Sequence, residues 1–216
     1  MPLICRLTAA LCLSLVAGGL RAESKVFSEI QGVVAMEAEN ATTGTDWKPR
    51  NDKLGGVASS GGWSLEDAGG ALRYDITFTH PGRYYVWFRM AKPMSGYPPD
   101  KANDCFVRFN GTSAHTTNGT TVWTVDGMGT HNKSLTWQSR PKSHDSAARA
   151  WHVYIEVEKA GQHRFEVLSR SPGFLVDKIV LIHEQKGGDA EGGGATADRI
   201  PAILKGFGPE ETGKSG

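Results

Sequence analysis

Cysteine is scarce in this chain. Of three in 216 residues, Cys5 and Cys12 lie in the first apolar stretch, and Cys105 alone stands in the body of the sequence. Removal of that stretch leaves no intramolecular disulfide, so stability rests on the core and on any bound ion. Long hydrophobic runs are missing too. The longest, Leu7 to Leu20, is shorter than the roughly 20 residues of a membrane span; it follows Arg6 and precedes Arg21-Ala22 and the polar Glu23-Ser24-Lys25. This build predicts a secretory signal peptide over residues 1–22, and hence a secreted or periplasmic protein with no transmembrane segment. Charge of one sign is not in excess either. With 24 Lys and Arg against 23 Asp and Glu, the net charge is +1, which argues against nucleic acid or an anionic membrane as partner.

Catalytic signatures are also lacking: there is no Gly-x-Ser-x-Gly elbow, no His-Glu-x-x-His helix, no P-loop and no dinucleotide fingerprint. His144-Asp145 are adjacent and point apart, which suits a hydrated turn better than a base and its orienter. Glu66-Asp67 and Asp75 are formal candidates for the paired carboxylates of glycoside hydrolysis. Cys105 enters an apolar segment with no basic neighbour and reads as a small buried hydrophobe.

No sustained helical period is present. Instead, short segments alternate apolar and polar residues with β-branched and aromatic enrichment: Val33 to Glu39, Ala71 to Thr79, Arg83 to Met90, Cys105 to Phe109, Val153 to Val157, His163 to Leu168 and Phe174 to Ile182. They predict strands, separated by turn chemistry such as His80-Pro81-Gly82, Asn110-Gly111 and Lys159-Ala160-Gly161. Short strands at this spacing predict an all-β, two-sheet antiparallel sandwich over residues 23–185. From Lys186 the composition shifts to Gly, Ala, Asp, Glu and Thr, which predicts a flexible tail over 186–216. Its patch Ile200-Pro201-Ala202-Ile203-Leu204 is a candidate docking segment, although the surrounding composition favours disorder.

Two acidic features stand out. Met36-Glu37-Ala38-Glu39 closes the first predicted strand with two carboxylates two residues apart, which the period of two places on one face. Gly173-Phe174-Leu175-Val176-Asp177-Lys178-Ile179-Val180-Leu181 places one acid in an otherwise apolar strand, where it needs a partner. A hard cation with oxygen ligands, calcium outside the cell, offsets such repulsion; pairing with surface Lys or Arg is the alternative.

Together with Pro81-Gly82-Arg83-Tyr84-Tyr85-Val86-Trp87-Phe88-Arg89, these segments resemble the carbohydrate-binding modules of families 6 and 35, and are similar to the C-terminal domain of family 115 glycoside hydrolases. The resemblance runs from about Gly32 to His183. It implies a galactose-binding-like jelly roll in which Glu37, Glu39 and Asp177, with main-chain carbonyls near Gly56 and at Asp177, hold a structural calcium ion.

Sugar recognition needs an exposed aromatic platform flanked by polar side chains. Trp87 and Trp151 lie in apolar segments and read as core. Trp47, Trp63, Tyr97, Trp123 and Trp137 lie in segments that read as loops, where specificity resides. The stretch Ala91 to Asn103, with Tyr97, Asp100, Asn103 and the following Asp104, is the first candidate binding loop. Thr136 to Arg149, with Trp137, Arg140 and His144, is the second. The candidate sugar contacts are therefore Trp63, Tyr97, Asn103, Asp104 and Trp137. In the families named, an Asn often precedes the acid of the last strand at the apical site. Here Gly173 occupies the nearest position and has no side chain, which shifts contacts to other loops or to the concave sheet. The resulting expectation is a secreted, non-catalytic protein that binds polysaccharide or oligosaccharide. The alternatives are a scaffold of the same fold with an extracellular protein partner and, less favoured, a polysaccharide-active hydrolase.

Overall fold

The computed structural model describes residues 25–61, 70–91, 104–116, 121–122, 124–126, 134–139, 152–187, 199–205 and 213–214. The expected signal peptide, Trp63, Tyr97, Asn103, Trp123, Trp151, Glu66-Asp67 and His144-Asp145 lie outside the described residues.

The strands in chain order are β1 (Val26–Ser28), β2 (Val33–Glu37), β3 (Thr42–Thr43), β4 (Trp47–Pro49), β5 (Val57–Ser59), β6 (Ala71–Phe78), β7 (Gly82–Ala91) and β8 (Asp104–Phe109). They continue as β9 (Thr112–Thr116), β10 (Thr121–Val122), β11 (Thr124–Asp126), β12 (Thr136–Gln138), β13 (Val153–Val157), β14 (Gly161–Ser169) and β15 (Leu175–His183). Two short helices, α1 (Glu184–Gly187) and α2 (Ile200–Leu204), precede β16 (Gly213–Lys214).

One sheet has the order β16-β1-β6-β14-β8, and the other runs β9-β13-β7-β15 and carries β2 and β5 on the far edge of β15. Strand β9 joins the two, pairing with β8 at Thr112–Ser113 and with β13 at His115–Thr116. All pairings are antiparallel except β1 with β6. This confirms the all-β sandwich, and each of the seven segments expected as strands corresponds to one of its strands, β2, β6, β7, β8, β13, β14 and β15.

The period-2 pattern explains the core. Along β6, Leu72, Tyr74, Ile76 and Phe78 are buried while Arg73, Asp75 and Thr77 are not. These four meet Tyr84, Val86 and Phe88 of β7 and Ile179 and Leu181 of β15 in one apolar cluster between the sheets. Each fully buried large side chain contributes about 1.5–3 kcal/mol. Trp47, expected in a loop, belongs to this core. Cys105 is buried and in no disulfide, as its apolar surroundings predicted.

β7 is buried at nearly every position because its other face is covered as well. Tyr85 and Trp87 form a second cluster with Val180, Ile182 and Tyr154, closed by Ile200 of α2. Here the tail departs from expectation. Ile200, Ile203 and Leu204 share one helical face by their i, i+3, i+4 spacing, and Pro201 sits in the first turn, where its missing N–H costs no helical bond. The apolar sheet face supplies the burial that the Gly-rich composition around α2 does not.

Candidate functional site

The sandwich has two poles. At one, β5, β7 and β14 end at Ser59, Ala91 and Ser169, while β6, β8 and β15 begin at Ala71, Asp104 and Leu175. The segments carrying Trp63, Tyr97 and Asn103 therefore leave and re-enter the fold at this pole, beside the Ser171–Gly173 turn.

The three expected metal ligands lie along this end of the second sheet. Strand β2 stops at Glu37, and Ala38–Asn40 form a 3-10 turn, so the strand geometry expected to place Glu37 and Glu39 on one face does not extend to Glu39. Glu37 instead lies opposite Lys178 across the β2–β15 ladder, and their side chains form an ion pair. Glu39 turns toward the 50–56 loop, where its Oε1 accepts the Gly56 N–H at 2.7 Å. Gly56 has φ +74°, and a Cβ there would lie 2.5 Å from the Val176 carbonyl oxygen and 3.0 Å from the Asp177 Cα. Only glycine permits so close an approach at that dihedral.

Asp177 is the extra residue of a bulge: Val176 pairs with Met90 and Lys178 with Arg89. The bulge re-aims the carboxylate and resets the alternation, so that Val176, Ile179 and Leu181 all face the core. Arg89 Nη1 lies 3.0 Å from Asp177 Oδ2, yet that oxygen is buried without a properly aligned hydrogen bond. Burial raises the Asp177 pKa and the Glu39 charge adds to the rise, while Arg89 and Lys178 oppose it. Glu39, the Gly56 backbone and Asp177 thus converge, with one carboxylate oxygen incompletely satisfied. This donor set fits a hard cation, with Glu37 engaged by Lys178. Among the described residues, no group of three or more His, Cys, Asp or Glu is close enough to hold a metal by side chains alone.

Of the expected sugar contacts, Asp104 is fully buried. Its carboxylate is held by Arg170 and the Ser171 hydroxyl, and its carbonyl accepts the Ser171 N–H at 3.1 Å. It ties β8 to the turn that carries Gly173, whose N–H donates to the Ser59 carbonyl at 2.8 Å. Trp137 sits on β12 directly opposite Arg89, partly buried against the outer face of the second sheet. The structure therefore places Asp104 at the loop pole beneath the surface and Trp137 on the flank of the sheet.

Sequence reasoning missed a cluster at the opposite pole. The buried Glu29 carboxylate accepts the N–H groups of Gly32 (2.8 Å), Thr79 (2.7 Å) and His80 (2.9 Å) and the Tyr84 hydroxyl (2.8 Å), and lies 2.6 Å from His80 Nδ1. Burial opposes ionisation, but these bonds outweigh it and lower the Glu29 pKa to about 2. His183 packs alongside, with Nε2 3.1 Å from the Pro81 carbonyl. The contacts join the β1–β2 turn, the β6–β7 turn and the end of β15, and they read as a structural tie. No local sequence pattern marks Glu29, because its partners other than Gly32 lie 50 to 55 residues away.

Two sheets packed over one apolar core make this a β-sandwich domain, a class whose loops carry specificity. The chain belongs to the glycosyl hydrolase family 115 C-terminal domain family, which it matches over residues 26–187. The expected similarity to that domain is thereby confirmed, and the chain carries a domain of a carbohydrate-processing enzyme family. An uncharacterised protein, P23, of Formosa agariphila is 35% identical over 111 residues, which are 51% of this chain and 24% of that protein. The chain thus spans about a quarter of that relative's length. Among solved structures, a GH26-CBM35 β-(1,4)-mannanase of Podospora anserina is similar over 71% of this chain and 28% of its own, with 18% identity and a TM-score of 0.46. A cycloisomaltooligosaccharide glucanotransferase of a Paenibacillus species is similar over 71% and 19%, with 14% identity and a TM-score of 0.35.

Proposed function

We propose that this protein is an exported, non-catalytic carbohydrate-binding module that takes polysaccharide or oligosaccharide at its loop-bearing pole. The observation that carries the reading is that the described strands on either side of Trp63, Tyr97 and Asn103 end and begin at one pole, at Ser59, Ala71, Ala91 and Asp104, in a domain of a glycosyl hydrolase family. Aromatic side chains there would stack on the C–H faces of sugar rings while amides and carboxylates bond the hydroxyl rim. Asp104 acts beneath them by fixing the Ser171–Gly173 turn rather than by direct contact, since both of its carboxylate oxygens are engaged. Trp137 adds an aromatic edge on the flank.

Structural calcium belongs to the same reading. Glu39 and Asp177 would hold it with main-chain carbonyls around Gly56 and Asp177, and Glu37 would join on leaving Lys178. The Asp177 oxygen without an aligned hydrogen bond and the raised Asp177 pKa support this. The ion would supply positive charge that joins the 50–56 loop to the start of β15, a structural contribution rather than a catalytic one.

Affinity electrophoresis of the full chain through gels containing soluble plant, algal or microbial polysaccharides, with calcium and again with chelator, tests the proposal. Retardation by at least one polysaccharide is expected, reduced by Trp63→Ala or Tyr97→Ala. Unretarded migration of folded protein in every gel would move the reading to a protein-binding scaffold.

A further inference from the structure

The pole opposite the loops carries a cleft that neither the proposed sugar site nor the calcium reading uses. It holds about 370 Å³, within the range of small-molecule sites. Gln31 of the β1–β2 turn, His80 and Pro81 of the β6–β7 turn, His183 at the end of β15, and Gln185 and Lys186 of α1 line it. Glycines bring these walls together. At Gly32 (φ +83°) a Cβ would lie 2.8 Å from Lys186 Cγ, and at Gly82 (φ +132°) one would lie 2.5 Å from His183 Nε2, so both turns press directly against β15 and α1. Gln31 is itself held at φ +52°, an uncommon conformation for a residue other than glycine.

The lining offers donors and no carboxylate of its own. The Glu29 carboxylate lies beneath His80, fully buried, with both oxygens already engaged by N–H and O–H groups. An ionised carboxylate only accepts, so His80 Nδ1, 2.6 Å away, carries the hydrogen of that bond. The bond orients a ring whose side chain is 62% exposed, and it leaves Nε2 as the position that takes up a proton from solvent. His183 is a wall rather than a ligand: Nε2 donates to the Pro81 carbonyl at 3.1 Å and Nδ1 accepts the Gln185 N–H at 3.3 Å. Lys186 is exposed and has no ion-pair partner among the described residues. Glu184, the other charged residue of α1, lies outside the lining. The charges facing His80 are therefore Glu29 and Lys186, which offset each other, while the Tyr84 hydroxyl is held by Glu29. Protonation of His80 makes the cleft net positive.

We propose that this cleft is an oxyanion-binding site, in which Lys186 and the protonated His80 ring hold a sulfate, phosphate or carboxylate group and the Gln31 and Gln185 amides bond its remaining oxygens. The site lies at the other pole from the loop-site reading and does not rest on it, so the two fail separately.

The test uses the full chain, isotope-labelled and titrated with sodium sulfate, phosphate or acetate, with chloride keeping the ionic strength constant. Nuclear magnetic resonance follows the His80 ring and the backbone amides of Gly32 and Lys186. Saturable shifts at these positions are expected with at least one anion. A preference for sulfate and phosphate assigns a tetrahedral group, and a preference for acetate a carboxylate. Sulfate keeps its charge between pH 5.5 and pH 7.5, and its affinity should be about tenfold higher at pH 5.5, the scale of one hydrogen bond to a charged group. Lys186→Gln should weaken binding by about tenfold on the same scale, and His80→Gln should remove the pH dependence, with thermal melting establishing that each variant is folded. Should His80→Gln not fold, Lys186→Gln and the pH profile of the wild type decide alone, because exposed Lys186 takes no part in the Glu29 tie. Shifts that drift without saturating for all three anions would overturn the proposal. Saturable binding that Lys186→Gln leaves unchanged, or sulfate affinity equal at both pH values, would overturn it as well.

Discussion

Replacing Glu29 by Gln tests the tie at the pole opposite the loops. The carboxylate gathers three backbone N–H groups, a tyrosine hydroxyl and the His80 ring. Gln keeps the shape but turns one acceptor into a donor facing donors. The carboxyl is lowered from 4.5 to about 2, and at about 1.4 kcal/mol per pKa unit the ionised form contributes about 3 kcal/mol at neutral pH. For a domain of this size that corresponds to a fall of about 6–12 °C in Tm. Because the folded pKa is depressed, this stability is present above about pH 4.5 and is lost as pH falls toward about 2. Urea unfolding of wild type and Glu29→Gln at pH 7 and pH 3 reads the difference directly, with other carboxylates cancelling. The gap should be about 3 kcal/mol at pH 7 and half of that or less at pH 3. A gap under about 0.5 kcal/mol at pH 7, the range of an ordinary surface substitution, or a gap unchanged at pH 3, would refute the reasoning.

Two further predictions concern the loop pole. Gly56→Ala sets a methyl against the Val176 carbonyl at a positive φ and should cost about 2–4 kcal/mol in denaturant unfolding; a neutral effect would mean that the loop is not held against β15. Asp177→Asn should melt higher than wild type in chelator at pH 7, because the raised pKa means that the ionised form is disfavoured in the folded state. That advantage should shrink as pH falls through the raised pKa toward 3.8, and the variant should show no calcium-dependent rise in Tm where wild type does.

The long strands were legible because β6 alternates over eight residues, while β7, β14 and β15 run for nine or ten residues with β-branched and aromatic enrichment between turn residues. Strands of two or three residues, such as β3, β10 and β16, carry no period and exist through their neighbours. The sequence Glu37-Ala38-Glu39 reads as strand by spacing, yet the chain turns at Ala38 and sends the two acids to different partners. The bulge at Asp177 has a signal in the spacing Val176, Ile179, Leu181, which strict alternation does not produce. Helix α2 also had one, in Ile200, Ile203 and Leu204, but the glycines around it outweigh it in any compositional window. Trp47 was misplaced because flanking polar residues say nothing of where a side chain points. The ties of Asp104 to Arg170 and of Glu29 to Thr79, His80 and Tyr84 join distant segments, and only the fold brings them together.

Carbohydrate binding at the loop pole is the central claim, and isothermal titration of the full chain tests it most directly. The titrants are neutral and acidic plant, algal and microbial oligosaccharides, with saturating calcium throughout. A saturable heat with at least one sugar, abolished by Trp63→Ala or Tyr97→Ala without loss of Tm, is the predicted result. A folded, calcium-loaded protein that gives no heat across the panel, or binding untouched by both loop substitutions, would contradict it.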